Sequence, residues 1–242
     1  MVTDRPDQTE SSSVVPLGRV QLETGWTFTR EDEAGPRVET NEFPGTLVRI
    51  GLLERFELRV GWAGYVSEEV DLAGPDGEAD GLGDTEVGGK LYLRPAGDRL
   101  PEAAFLFGLS LPTGDGDVSS DGFDPSFRLC ASHTLSDSLS LGYNLGMAWE
   151  TEADSSGQDD TLSSYQYTAA LGIGVSDRLG TFVELFGDIP ASARGGPAHS
   201  IDGGLTYLLR ENLQVDLSAG VGLSSEADDW ILGLGVSARF PR

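Results

Sequence analysis

The sequence predicts an all-β protein, a transmembrane antiparallel up-and-down β-barrel of about twelve strands with short periplasmic turns and long acidic extracellular loops. Three observations carry this reading. Apolar and small or polar residues alternate along most of the chain, short and long connections alternate between the alternating segments, and the tryptophans fall near one end of their strands.

The elements follow in order. In 19–30, Val20, Leu22, Thr24, Trp26 and Phe28 alternate with Gln21, Glu23, Gly25, Thr27 and Thr29. Successive side chains of a strand point to opposite faces, so this period of two marks a strand with one apolar and one polar face. After a segment at 45–53, the pattern repeats in 55–67, where Phe56, Leu58, Val60 and Trp62 oppose Glu57, Arg59, Gly61 and Ala63. Segments at 84–95, 102–112 and 125–134 lead to 138–150, where Leu139, Leu141, Tyr143, Leu145, Met147 and Trp149 oppose Ser140, Gly142, Asn144, Gly146 and Ala148. Beyond 162–176, the segment 179–188 ("TFVELFG") alternates poorly and has the least defined register. Pro190 and the Gly195–Gly196 pair then fit a loop. The last three segments are 198–210, 213–224 and 229–240, and the alternation is again strict in the final two.

The connections separate a membrane barrel from a soluble sandwich. "LLERF", "PAGDRLP", "LSDSL", "SDRLG" and "LRENL" are tight, whereas "REDEAGPRVETNEFPG", "SEEVDLAGPDGEADGLGDTE", "TGDGDVSSDGFD", "ETEADSSGQDDT", "GDIPASARGGPA" and "SSEADD" are mostly longer and acidic. Periplasmic turns and extracellular loops differ in this way, and an even strand number returns both termini to the periplasm. The chain is therefore divided into an N-terminal periplasmic segment, 1–16, and a barrel in the bacterial outer membrane, 17–242. With the first strand running outward, Trp26, Trp62, Trp149 and Trp230 form an outer aromatic girdle with Tyr165 and Tyr167, and Phe56, Phe105, Tyr207 and Phe240 an inner one. The alternative is that these are core aromatics of a closed soluble barrel.

Composition excludes other classes. A net charge of −24 argues against nucleic acid as a partner. No run approaches the roughly 18 apolar residues of a membrane helix, and the polar start after Met1 has no charged-then-apolar leader, so an exported protein would be represented by its mature form. The single Cys130 cannot form an intramolecular disulfide. His133 and His199 are the only histidines and neither lies in a catalytic motif, so no enzyme and no cofactor is expected.

At this point the residues also resemble a known family. "TDRPDQTESSSVVPLGRVQLETGWTF", "LSLPTGDG" followed by "DPSFRLCASHTLSDSLSLGYNLG", then "FVELFG", "GGLTYLLRENLQVDLSAGVGL" and "GLGVSARF" are similar to the MetA-pathway-of-phenol-degradation family of outer-membrane transporters. The resemblance covers nearly the whole chain and implies a barrel transporter, with uptake of aromatic compounds suggested by the family's name. One departure is the ending, where Pro241 and Arg242 follow Phe240 although such proteins usually finish on an aromatic residue read by the outer-membrane assembly machinery.

Function would be written on the lumen face. Inward positions place Arg49, Arg59, Lys90, Arg94 and Arg128 on one wall and Glu184, Asp202 and Asp216 on the other, with Glu23, Glu57 and Arg239 breaking the segregation. Opposed charges across a water-filled constriction set selectivity; the same charges paired in a narrow barrel would make a buried, rigid network. Inward glycines at 142, 146, 172, 174, 220, 222, 233 and 235 leave room that favours the open form. In the loops, Asp115, Asp117, Asp121 and Asp124 form an oxygen-rich cluster of the kind calcium takes, without the bidentate Glu of an EF-hand; a solvated acidic surface is the commoner result of such a composition. The expectation is a passive channel for small solutes, hydrophobic or aromatic ones among them, with outer-membrane lipid, the solute and the assembly machinery as partners. The alternative is a structural or adhesive barrel with a filled lumen.

Overall fold

The computed structural model describes residues 1–242 except 33–35, 72–76, 98–99, 117, 154–158, 192–194 and 242. The described chain is all strand, turn and coil. The strands are β1 (Val20–Glu31), β2 (Arg37–Leu53), β3 (Phe56–Trp62), β4 (Tyr65–Asp71), β5 (Gly77–Leu82), β6 (Thr85–Arg94) and β7 (Glu102–Leu111). They continue with β8 (Asp124–Ser136), β9 (Leu139–Ala153), β10 (Asp159–Gly174), β11 (Leu179–Pro190), β12 (Ala198–Arg210), β13 (Leu213–Gly222) and β14 (Trp230–Phe240). Twelve of them form a closed antiparallel ring in the order β1, β2, β3, β6 to β14, with β14 returning to β1 from Val20↔Phe240 to Arg30↔Trp230. Closure leaves no strand edge in the ring, as a hydrocarbon environment requires. We call the end with the connections Leu53–Phe56, Ser136–Leu139 and Arg210–Leu213 the inner end, and its opposite the outer end.

The burial pattern is that of an inside-out protein. Leu145 is 62% exposed and Leu234 53%, whereas the largest fully buried side chains include Arg49, Lys90, Gln21, Glu23, Glu57 and Glu184. A soluble barrel would reverse this order, because burying apolar surface is what stabilises a water-surrounded core. The apolar face thus meets lipid and the polar face lines the lumen.

Two stretches depart from the sequence reading. β2 begins at Arg37 rather than near 45, and the expected long loop after β3 contains the hairpin β4–β5. The outer half of β2 pairs with β4 from Arg37↔Asp71 to Phe43↔Tyr65, while its inner half pairs with β3, so the hairpin β4–β5 projects as an extra sheet from the outer half of β2, which stays paired to β1 on its other side. The switch lies at Pro44, which has no N–H for the ladder, and at Gly64, whose φ of +87° suits glycine and where a Cβ would lie 2.8 Å from the Pro44 carbonyl. The acidity of "SEEVD" concealed β4, because its alternation is carried by charged residues facing water on both sides. In β11, Phe182 and Glu184 are buried while Val183 and Leu185 are exposed. The weak alternation there reflects aromatic rings on the lumen face: Phe182 lies against Gly204 of β12, where a Cβ would come within 2.6 Å of the ring.

Candidate functional site

The site is the lumen together with residues 1–16. Set apart above as a periplasmic segment, these residues lie inside the barrel. The Asp4 carboxylate accepts from three cations of the basic wall: Arg49 Nη1 at 2.8 Å, Lys90 Nζ at 2.9 Å, and Arg59 Nη1. Glu10 pairs with Arg59 Nη2 at 2.8 Å and Lys90 Nζ at 3.1 Å. From the wall itself, Glu23 and Glu57 bond Arg49 at 3.0 and 2.8 Å, and Glu57 also reaches Arg59 at 3.2 Å. Arg49, Lys90, Glu23 and Glu57 are at most 1% exposed. Charges so far from water persist only because each has several ionic or hydrogen-bonded partners.

The segment touches the acidic wall as well. Gln8 donates its N–H to Glu184 Oε2 at 2.7 Å, and the Thr9 hydroxyl bonds Glu184 and Thr168. Arg5 reaches Asp216 at 3.5 Å and donates to the Leu234 carbonyl at 3.0 Å. Glu184 stands beside Asp202 in register. By strand order β3 and β6 lie across the ring from β11 and β12, so Arg59 and Lys90 stand across the lumen from Glu184 and Asp202 with the segment between them, while Glu23 and Glu57 sit among the cations. The room left by some inward glycines is taken by this segment: a Cβ on Gly235 would lie 2.3 Å from Arg5 Nε, and one on Gly142 would lie 3.0 Å from Thr9 Cγ2.

Two predicted basic residues stand apart. Arg94 follows the irregularity at Tyr92/Arg94 at the inner end, half-exposed, and makes none of the cluster's ion pairs among the described residues. Arg128 lies toward the outer end, where Gln166 Oε1 accepts from its Nε at 3.0 Å and Gln166 in turn donates to Asp188 at 3.0 Å. It lines an outer vestibule of about 570 Å³ with Glu42, Glu86, Asp124 and Glu150. A second space of about 440 Å³ opens at the inner end between residues 1–7 of the segment and β8 to β13.

The candidate calcium ligands are not gathered. Asp115 accepts from the Leu82 N–H at 2.8 Å, Asp124 binds the N–H and hydroxyl of Thr151 at 2.9 and 2.8 Å, and Asp117 lies outside the described residues. Asp121 adopts a φ of 56° in the same loop. No group of three or more described His, Cys, Asp or Glu residues is arranged to hold a metal. Asp84, one of the acids in the basic-free run from Glu68 to Glu86, organises this loop instead. Burial pushes its carboxyl up, but the Gly114 N–H, the Ser119 hydroxyl and the Ser120 and Thr113 N–H groups outweigh that and hold it below the ordinary 3.8.

Trp26, Trp62, Trp149 and Trp230 all occupy the outward-facing parity of their strands, with Trp62 and Trp230 at the outer ends of β3 and β14. Trp149 joins a lipid-facing aromatic row, its ring 5.9 Å from Phe127, which is 6.1 Å from Phe105. The histidines face outward too: His133 bonds Tyr143 at 3.3 Å, and His199 bonds Tyr167 at 2.9 Å across Gly187.

The segment residues Asp4, Arg5, Gln8, Thr9 and Glu10 were missed by sequence reasoning, which looked for the site on strands. A signal was present: "TDRPDQTE" carries acids and an arginine in a chain whose inward positions hold both signs.

A closed ring of twelve antiparallel strands with an apolar outside and a charged inside defines the class: a bacterial outer-membrane β-barrel. Within it, the chain belongs to the family described as "Putative MetA-pathway of phenol degradation", whose profile matches residues 3–240. No curated protein sequence matches it. Among solved structures, it is similar to an outer membrane channel from Pseudomonas putida F1, with 15% identity, a TM-score of 0.70 and coverage of 95% of this chain and 98% of that one. It is also similar to the β domain of the Bordetella autotransporter BrkA, with 10% identity, a TM-score of 0.62 and coverage of 91% and 98%. The NanC porin gives 9% identity, a TM-score of 0.57 and coverage of 90% and 98%. At these identities the likeness is one of fold.

Proposed function

We propose that the protein is an outer-membrane channel giving small solutes passive passage, with residues 1–16 as a removable constriction. The observation that carries this is the placement of the segment between two vestibules. It is coil rather than strand, and hydrogen bonds and ion pairs hold it to both walls, so it can leave without opening the ring. The family's description, with its reference to phenol degradation, supports small aromatic molecules as solutes, and the likeness to an outer membrane channel supports passage through the barrel. The charged lumen favours members of that class carrying a polar or ionised group. Conductance in planar bilayers tests the reading. The full-length chain is expected to pass small or intermittent currents, and a variant lacking residues 2–14 larger and steadier ones. Two silent barrels, both folded, would favour the filled structural barrel, in which the ion pairs of Arg49 with Glu23 and Glu57 remain when the segment is removed.

A further inference from the structure

Resting on the channel reading, one contact pattern narrows the solute. Lys90 is fully buried, and its recorded hydrogen-bond acceptors all belong to the segment: both Asp4 carboxylate oxygens at 3.1 and 2.9 Å, Glu10 Oε2 at 3.1 Å and the Ser11 carbonyl at 3.0 Å. Arg49 keeps Glu23 and Glu57 when the segment is discounted, and Arg59 keeps Glu57. Among the wall's own ion-paired groups, three cations then stand against two carboxylates, and the Lys90 ammonium has lost its partners. A buried charge in that condition is costly, so this part of the wall requires an anion.

We propose that Arg49, Arg59 and Lys90 form a binding site for carboxylate-bearing solutes, best a small dicarboxylate, which Asp4 and Glu10 occupy in the resting protein as an internal substitute ligand. The geometry is that of a receptor. Three donors from three successive strands of the ring converge on one carboxylate, and two of them also hold a second. Charge-assisted bonds of this kind fix the orientation of a carboxylate as well as its affinity. A solute with two carboxylates reproduces both contacts and competes with the segment for the same donors. Binding and opening are then one event, since the ligand that fills the site displaces the constriction.

The test uses the full chain in detergent micelles, with succinate as probe and uncharged succinamide as control, read by equilibrium dialysis. The double variant Asp4→Asn/Glu10→Gln keeps the segment but removes its charge. It is expected to bind succinate about tenfold or more tightly than the native chain, a difference of about 1.4 kcal/mol, and adding Lys90→Gln should abolish that gain. Succinate and succinamide binding alike, or a gain indifferent to Lys90→Gln, would overturn the proposal. A second measurement needs no change in the cluster: in a Gln8→Cys chain, at a solvent-exposed position of the segment, thiol labelling should quicken with succinate and not with succinamide. An unchanged rate would count against the site. Because binding is read in micelles, a silent bilayer experiment leaves this result standing, and a conducting variant blind to succinate sinks this inference alone.

Discussion

Gly187 shows how much a single inward or outward atom matters in this barrel. It faces lipid on β11, and the Tyr167–His199 hydrogen bond closes over it; a Cβ would lie 2.3 Å from the Ala198 carbonyl and 3.0 Å from both rings. Gly187→Ala is therefore expected to destabilise the protein by about 1–3 kcal/mol, as overpacking does where backbone is the obstacle, measured by urea unfolding in lipid vesicles. An unchanged midpoint would mean that β11 and β12 yield freely. Asp84 gives a pH prediction at the same scale. Its carboxyl is held below 3.8 in the folded loop, so its contribution is complete above the ordinary carboxylate range and fades as pH falls below it through the folded value. Amide exchange at Gly114 and Ser120, taken relative to intrinsic rates, should lose protection only below about pH 4. In Asp84→Asn the protection should be weak at every pH, and a native chain indistinguishable from that variant would contradict the assignment.

Among the elements, β4 and β5 are the pair the ring does not need. The closed order runs from β3 directly to β6, and β4 adds only to the outer half of β2. Replacing 65–82 by a short linker should leave a barrel that still resists denaturation in detergent at ambient temperature. Loss of folding would show that the projecting sheet nucleates the ring. The contrast between elements explains what was legible in the sequence. A strand between lipid and lumen shows its period in apolar against polar residues, and β1, β9, β13 and β14 were readable for that reason. β4 has water on both faces and β11 has Phe182 in the lumen, so each lost the contrast on which the period depends. The wall charges at Arg49, Arg59, Lys90 and Glu184 were legible from the same alternation. Their partners at Asp4, Glu10 and Thr9 were not, because a coil threaded between walls has no period, and its register is set by contacts far away along the chain.

At the scale of the whole molecule, the two faces make opposite demands. Leu145 points into lipid and Asn144, one residue earlier, is buried against the segment, where its side chain bonds both the N–H and the carbonyl of Glu10. Leu145→Arg should weaken folding in bilayers by about 2–4 kcal/mol, depending on depth. Asn144→Arg should disturb the segment more than the ring, which cleavage at Glu10 by a Glu-specific protease would report. Equal folding losses at both positions would argue against the assignment of faces. The path of the segment has a consequence for assembly. The Val2 carbonyl is held by Gln21 and Arg239 at the inner ends of β1 and β14, and Val15 returns to Glu57 near the start of β3. The chain enters and leaves by the same opening, so it is a tucked loop and not a thread passed through a hoop. The ring can complete its last seam, β14 against β1, before the loop is seated. Nothing topological then ties the two events together, and the loop can be withdrawn from and returned to a barrel whose seam has never parted.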